Sequence, residues 1–287
     1  MDIVRRIREA ARLTPAEQRL AQVVLQLGER MQTITLKELA AAAGVSVPSA
    51  HRFCKKLGLE GFKELKVELA RAWAHPGSAA AVDINFPFKP NERAAQILPH
   101  MESVYATTLH DTRALLDAGT LDAAAESIRH ARVINVYTAS HNLYAAHLFC
   151  DRLASLGKTS TCPEHLDLMI HTALTADETH AAVVISYSGR SAYLDRVQPL
   201  LKRGTVPTIF VGTPHAARLN PGHTHYLAVS DRESPEHRIT QFASHIAVQY
   251  VLDALFCCLF AQDYEANRRL LGRAVPYTRH QAKAVRM

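Results

Sequence analysis

The stretch Ala181-Ala-Val-Val-Ile-Ser-Tyr-Ser-Gly-Arg-Ser191 decides the fold of the larger part of this chain. Its first five residues are apolar, which is typical of a strand buried on both faces of a parallel sheet. Three serines then surround Gly189, and a helical pattern begins at Ala192. Glycine lets backbone N–H groups approach an anion, and the N-terminus of a helix attracts negative charge. The stretch therefore predicts an anion-binding turn between a strand and a helix. The alternative is a turn whose hydroxyls only cap the helix.

Strand and helix patterns alternate on both sides of this stretch. Further strands are predicted at 133–137, 159–162, 208–211 and 226–229, and helices at 91–116, 121–130, 143–156, 166–174, 192–203 and 239–260. Such alternation indicates an α/β domain with a central parallel sheet flanked by helices, in which ligands bind at the C-terminal ends of the strands. The turns Thr138–His141 and Ser186–Ser191 both fall at such ends.

The first quarter of the chain carries a different pattern, in which two short helices are separated by a glycine. Thr35 and Glu38 predict a capping box for the first helix. Gly44 breaks that helix, and Ser46 caps a second one that ends at Gly58. This all-α pattern is typical of a helix-turn-helix domain, whose second helix enters the major groove of double-stranded DNA. The residues predicted to face DNA are Ser46, Ser49, His51, Arg52, Lys55 and Lys56. The alternative is a small helical domain with a solvated basic face.

Charge and composition divide the chain in the same place. Lys and Arg number 33 against 27 Asp and Glu in the whole chain, and 13 against 8 within residues 1–75. A basic segment beside a nearly neutral one favours binding to nucleic acid. Prolines and weak periodicity then mark a linker. We therefore predict a DNA-binding domain at 1–75, a linker at 76–90 and an α/β domain at 91–287.

Other features of the sequence bear on location and cofactors. The five cysteines lack framework spacing, which favours reduced thiols in a cytoplasmic protein. The start of the chain does not resemble a signal peptide. The apolar run Ile246–Ala261 is interrupted by Gln249 and Asp253, so we expect a buried helix and no membrane partner. The 16 histidines lack metal-ligand spacing, so neither a metal nor another cofactor is predicted.

Several motifs resemble those of one known family. In the first quarter they are Leu13-Thr14-x-x-Glu17, Gly44-Val45-Ser46 and Arg52-Phe-Cys-Lys-Lys-Leu-Gly58. In the larger domain they are Ile185-Ser-Tyr-Ser-Gly-Arg-Ser191 and Leu252-Asp-Ala-Leu-Phe256. Together they resemble the RpiR-type transcriptional regulators, in which a helix-turn-helix domain precedes a sugar-isomerase (SIS) domain.

The resemblance implies a regulator of sugar metabolism that senses a phosphorylated sugar or sugar acid and forms a homodimer or homotetramer. The implied effector-binding residues are Ser140, Ser186, Ser188, Gly189, Ser191, and Glu233 or Glu236. Two departures concern the effector. The turn Val136–Asn142 lacks the glycines usual in the family, which restricts backbone approach to a ligand. The last helix contains Ser244-His245, where Ser-Arg is common.

Two other functions remain open from the sequence. A phosphosugar isomerase or lyase would need an acid and a base, for which the candidates are Glu233, Glu236, His237 and His245. A DNA-binding oligomer whose second domain only dimerises is favoured by the altered first turn and opposed by the retained serines. The predicted function is a non-catalytic, effector-responsive regulator that binds operator DNA.

Overall fold

The computed structural model describes residues 3–8, 13–73 and 82–279. The chain divides into two compact units, Met1–Val82 and Asp83–Met287. This boundary falls inside the predicted linker 76–90, of which residues 76–81 lie outside the described part of the chain. Residues 83–90 of that predicted linker belong to the second unit, where Asn85 hydrogen-bonds to Ser234 and Ile239.

The first unit is entirely helical in its described residues. Its helices are α1 (Ile3–Arg8), α2 (Pro15–Leu27), α3 (Leu36–Ala42), α4 (Val47–Lys56) and α5 (Phe62–Trp73), with a 3-10 turn at Gly28–Gln32. They enclose a core of fully buried side chains that includes Leu20, Met31, Leu39, Phe53, Leu65 and Leu69. Helix α1 was not predicted, and its Ile3 and Ile7 belong to the same core.

The second unit contains a parallel five-stranded sheet. Its strands are β1 (Val133–Tyr137), β2 (Thr159–Thr161), β3 (His180–Ile185), β4 (Thr208–Gly212) and β5 (His225–Ala228), in the order β2-β1-β3-β4-β5. Every neighbouring pair is parallel. The connections leave β1 and β3 toward opposite edges of the sheet. In sheets of this topology ligands bind beside the C-terminal ends of such a pair of strands. The turns predicted to bind a ligand follow these strands.

Eight helices accompany the sheet in the described part of the second unit. They are α6 (Ala94–Leu115), α7 (Ala118–His130), α8 (Asn142–Ser155), α9 (Leu166–Leu174), α10 (Leu194–Arg203), α11 (Pro214–Leu219), α12 (Ala243–Gln262) and α13 (Tyr264–Arg279). Helices α11 and α13 were not predicted. The predicted starts of α10 at Ala192 and of α12 at Ile239 were wrong by two and four residues. Before α12, the Ile239 N–H donates to the Asn85 carbonyl, and this tertiary hydrogen bond holds Ile239 outside the helix.

Helix α12 is the central helix of the second unit. It is long and apolar enough to cross a membrane by length and composition, with a mean hydropathy of 1.6 over its best window. Its Val248, Val251, Leu252 and Leu255 are fully buried against α6, α7, α8 and the sheet. The helix therefore has the surroundings of a core helix, which is common for such apolar segments in globular domains.

Candidate functional site

The first unit presents the predicted helix-turn-helix as helices α3 and α4. Thr35 caps α3 in a capping box with Glu38, and Ser46 caps α4 by accepting a hydrogen bond from the Ser49 N–H. Between the helices Gly44 has a φ of 61°, a left-handed conformation that favours glycine, and the Val45 N–H donates to the Ala40 carbonyl at 2.9 Å. These local bonds fix the angle between the two helices.

Helix α4 separates an apolar face from a polar one. Ala50, Phe53 and Cys54 are buried, as is Leu57 just after the helix. The predicted DNA-facing residues Ser46, His51, Arg52, Lys55 and Lys56 are exposed, and Ser49 is half-buried. Five of the six therefore lie on the solvent side, as the helical period requires.

Four of the predicted DNA-binding side chains have partners within the unit. The Ser46 and Ser49 hydroxyls lie 2.9 Å apart. The Arg52 guanidinium donates to Ser49 Oγ at 3.0 Å, which directs it toward the N-terminal end of α4. The Lys56 ammonium lies 2.7 Å from Glu17 Oε2 in the first turn of α2. The Arg52 guanidinium thus points toward the N-terminal half of α4, and Lys56 links α4 to α2.

In the second unit the three predicted serines meet in one loop, which we call the Ser loop (Ser186–Ser191). Ser186 is buried, and its Oγ accepts the Gly189 N–H at 3.2 Å and lies 3.1 Å from Ser191 Oγ. Ser188 is half-buried and its Oγ accepts the Arg190 N–H at 3.3 Å. The loop therefore gathers three hydroxyls and several N–H groups at the end of β3, a combination that suits a phosphate group.

Tight packing from α11 and β4 holds the Ser loop in place. Gly189 has a φ of 72°, and a Cβ there would lie 2.7 Å from the Ala216 Cα and from Asn220 Nδ2. Asn220 donates to the Gly189 carbonyl at 3.0 Å and accepts from Gln198 at 2.6 Å. On β4, a Cβ on Gly212 would lie 2.4 Å from the Ser186 carbonyl. Glycine is therefore required at both positions.

The first turn, Thr138–His141, stands beside the Ser loop because β1 and β3 are neighbours. Thr138 and Tyr193 both donate to the Ile185 carbonyl, at 3.0 and 2.7 Å, and so join the ends of the two strands. Ser140 is exposed and has a φ of 60°. The chain thus adopts at Ser140 a left-handed conformation without glycine, and the sequence departure does not prevent the turn from forming.

The loop between β5 and α12, residues 229–242, supplies the charged part of the site. Glu233 is fully buried, and its carboxylate accepts the Ser244 N–H and lies 3.4 Å from the Arg238 guanidinium. Burial raises the pKa of the Glu233 carboxyl, and its bonds to Ser244 and Arg238 oppose that rise. Glu236 is exposed, and its carboxylate lies 3.7 Å from the Arg190 guanidinium of the Ser loop. Of the two predicted glutamates, Glu233 therefore holds the loop and Glu236 faces the Ser loop.

His141 adds to this group a half-buried imidazole whose two ring nitrogens are buried. Within the described residues neither ring nitrogen has a hydrogen-bond partner. Burial, with smaller contributions from the charges of Arg238 and His245, lowers the pKa of His141 to about 4. A neutral imidazole offers one donor and one acceptor, which suits a ligand hydroxyl group.

The site contains residues that the sequence did not identify. Arg238 is 12% exposed and also donates to Ser244 Oγ at 3.2 Å, so it is a cation held by two groups, the Glu233 carboxylate and the Ser244 hydroxyl, at the N-terminal end of α12. His141, Asn220 and Gln198 were likewise missed. Asn220 follows a helix whose sequence is short and weakly patterned, and only its hydrogen bonds identify it. In the described residues no group of three or more His, Cys, Asp or Glu side chains is placed to hold a metal ion.

Comparisons with known proteins agree with this architecture. Residues 1–76 match the family model described as "Helix-turn-helix domain, rpiR family". An uncharacterised HTH-type transcriptional regulator of Caldanaerobacter subterraneus subsp. tengcongensis is 26% identical over 94% of each chain. The Vibrio vulnificus NanR protein, solved with ManNAc-6P, covers 96% of this chain and 97% of its own at 18% identity, with a TM-score of 0.57. The sugar isomerase domain of an RpiR transcription factor from Sphaerobacter thermophilus covers 63% of this chain and 99% of its own at 19% identity, with a TM-score of 0.51.

The fold and these matches define the class of the protein. It is a helix-turn-helix transcriptional regulator with a second domain of the sugar-isomerase fold. Within that class, residues 1–76 match the helix-turn-helix domain of the RpiR family.

Proposed function

We propose that this regulator senses a phosphorylated sugar or sugar acid at the Ser loop and thereby alters its binding to operator DNA. It acts as a cytoplasmic homodimer or homotetramer, without catalysis and without a membrane partner. The main support for effector binding is that three segments meet at the C-terminal ends of β1 and β3. These segments are the Ser loop, the first turn and the β5–α12 loop, and we call the space between them the crevice.

The chemistry of this crevice fits an anion that also carries hydroxyl groups. Ser188, Ser191 and the backbone N–H groups of the loop suit the phosphate, with Arg190 nearby. His141, Ser140 and Glu236 suit the hydroxyls of a sugar. The Vibrio vulnificus NanR protein was solved with a phosphosugar, ManNAc-6P, which supports the same ligand class for this fold.

The geometry supports regulation rather than isomerisation. Glu233, a candidate acid or base, is fully buried and already bonded to Ser244 and Arg238. A general base must reach the proton that it removes. Glu236 is 84% exposed, so it lies outside the desolvated surroundings that are common for catalytic carboxyl groups. We therefore assign neither glutamate a catalytic role, and we expect no turnover of sugar phosphates by the purified protein.

A thermal-shift screen against sugar phosphates and phosphorylated sugar acids tests the proposed binding of an effector at the Ser loop. We expect one compound to raise the melting temperature by several degrees, because a ligand that binds only the folded state stabilises it. Ser188→Ala removes a hydroxyl from the crevice without touching the core, and we expect it to weaken binding about 10-fold or more. Ser127→Ala, a hydroxyl change on α7 away from the crevice, is the matched control. A response that Ser188→Ala leaves intact would remove the Ser loop from the effector site.

The proposed binding of operator DNA by α4 is tested with Arg52→Ala in the full chain. Because Arg52 is exposed near the N-terminal half of α4, we expect its loss to weaken operator binding by about 1–3 kcal/mol, or 5-fold to 150-fold. Operator fragments selected from a random pool and measured by fluorescence anisotropy give the affinities. Lys37→Ala, an exposed cation on α3, is the control for charge alone. Equal affinity of wild type and Arg52→Ala at moderate salt would contradict the assignment of α4 as the recognition helix.

A further inference from the structure

The segment that leads into the second unit is bound to the loop that carries the effector-facing charges. We call residues 83–90 the strap. Asn85 Oδ1 accepts the Ser234 N–H at 2.6 Å, and the Asn85 carbonyl accepts the Ile239 N–H at 3.0 Å. Asp83 Oδ1 in turn accepts the Asn85 N–H at 2.9 Å. Asn85 therefore bonds to both sides of the tip of the β5–α12 loop.

An aromatic contact adds to these bonds. The Phe86 ring lies 4.8 Å from the His237 ring, centroid to centroid. Ser234, His237 and Ile239 surround Glu236, whose carboxylate lies 3.7 Å from the Arg190 guanidinium of the Ser loop. A continuous set of contacts thus runs from the Ser loop through the loop tip to the strap, all within the second unit.

The base of the same loop is fixed to α6. Ser230 Oγ donates to Asp111 Oδ2 at 2.6 Å, and the Ser230 N–H donates to Thr112 Oγ1 at 3.1 Å. Arg232 lies 3.5 Å from the same Asp111 carboxylate. These groups are buried or nearly so, whereas Arg190 and Glu236 are 66% and 84% exposed. The exposed pair is the weaker contact, so the tip at 234–237, and not the buried Glu233–Arg238 pair, is the part of the loop that a ligand can displace.

We infer that the strap transmits occupancy of the Ser loop to the chain leading toward the first unit, and that Asn85 is the positioning residue of this coupling. The inference rests on the proposed effector site. An anion bound at the Ser loop competes with the Glu236 carboxylate for Arg190. Release of Glu236 shifts the loop tip, and Asn85 and Phe86 carry that shift into the strap. Coupling between two sites requires an element with two arrangements, whose equilibrium is shifted by binding at either site.

Hydrogen–deuterium exchange of the full chain tests this with inorganic phosphate as the probe, at about 10 mM against chloride of equal ionic strength. In the wild type we expect slower exchange in residues 186–193 and a change of about twofold or more in the strap and at Ser234 and Ile239. Asn85→Ala removes the side-chain acceptor of the Ser234 N–H and keeps the backbone bond to Ile239. In this variant the Ser-loop protection should persist while the strap response falls to about half or less of that of the wild type. Lys89→Ala, an exposed side chain of the same strap, is the control and should behave as the wild type.

A second variant tests the direction of the coupling. Glu236→Gln removes the carboxylate that holds Arg190, so without phosphate its strap should already exchange as the phosphate-bound wild type does. Protection of the Ser loop with an unchanged strap in the wild type overturns the coupling and leaves the effector site standing. No change in either segment overturns both. A strap response in Asn85→Ala that is as large as in the wild type overturns the role of Asn85.

Discussion

Gly189→Ala is expected to abolish effector binding and to lower the free energy of unfolding by about 3 kcal/mol. Gly189 has a φ of 72°, where an alanine costs about 1–2 kcal/mol relative to glycine. The new Cβ would also lie 2.7 Å from the backbone Cα of Ala216, which cannot rotate away as a flexible side chain can. The Ser loop must therefore move, and the bonds among Ser186, Ser191 and the Gly189 N–H are lost together.

The measurement combines urea unfolding with the thermal-shift response to the effector found in the screen. Gly272→Ala is the matched control, because no atom lies within 4 Å of a Cβ at this helical position. There alanine should be neutral or stabilise the helix by up to about 1 kcal/mol. If Gly189→Ala retained the effector response and wild-type stability, the tight packing of Gly189 would not be needed for effector binding at the Ser loop.

The sheet and the Ser loop were predictable because their signals are local. Strand β1 was predicted at its observed bounds, and the start of β3 differed by one residue, since continuous apolar runs define buried strands wherever they occur. The Ser loop follows β3 directly, so its serines and Gly189 are brought together by a few residues of chain. The helix-turn-helix was equally local, because capping residues and a left-handed glycine mark each end of α3 and α4.

The remainder of the site depends on contacts between distant parts of the chain. Arg238 and His141 are separated by almost a hundred residues. They come close because the turn after β1 and the loop after β5 both lie at the C-terminal ends of the parallel strands. Nothing in the local sequence distinguishes Arg238 from the other arginines of the chain. The start of α12 was misplaced for the same reason, since Asn85 holds the Ile239 N–H outside the helix. Tertiary hydrogen bonds here override the helical pattern.

Glu233→Ala is expected to destabilise the second unit by about 3–5 kcal/mol and to eliminate the effector response. The variant leaves the Arg238 guanidinium, which is 12% exposed, without its carboxylate partner, and the buried Ser244 N–H without its acceptor. Removing one member of a buried ion pair is costly because the remaining charge stays desolvated. Arg238 would then be released from its position near His141, and the charged side of the crevice would be lost.

Glu233→Gln separates the structural and the electrostatic parts of this role. The amide has nearly the same shape and keeps an oxygen that can accept the Ser244 N–H, but it carries no charge to pair with Arg238. We expect a loss of about 1–2 kcal/mol in urea unfolding, smaller than that of the alanine variant, and a weakened effector response. If Glu233→Gln were as destabilising as Glu233→Ala, charge pairing with Arg238 rather than the hydrogen bond to Ser244 would hold the loop. If both variants kept wild-type stability and response, the Glu233–Arg238 pair would have no part in the effector site, and the assignment of Arg238 to it would fail.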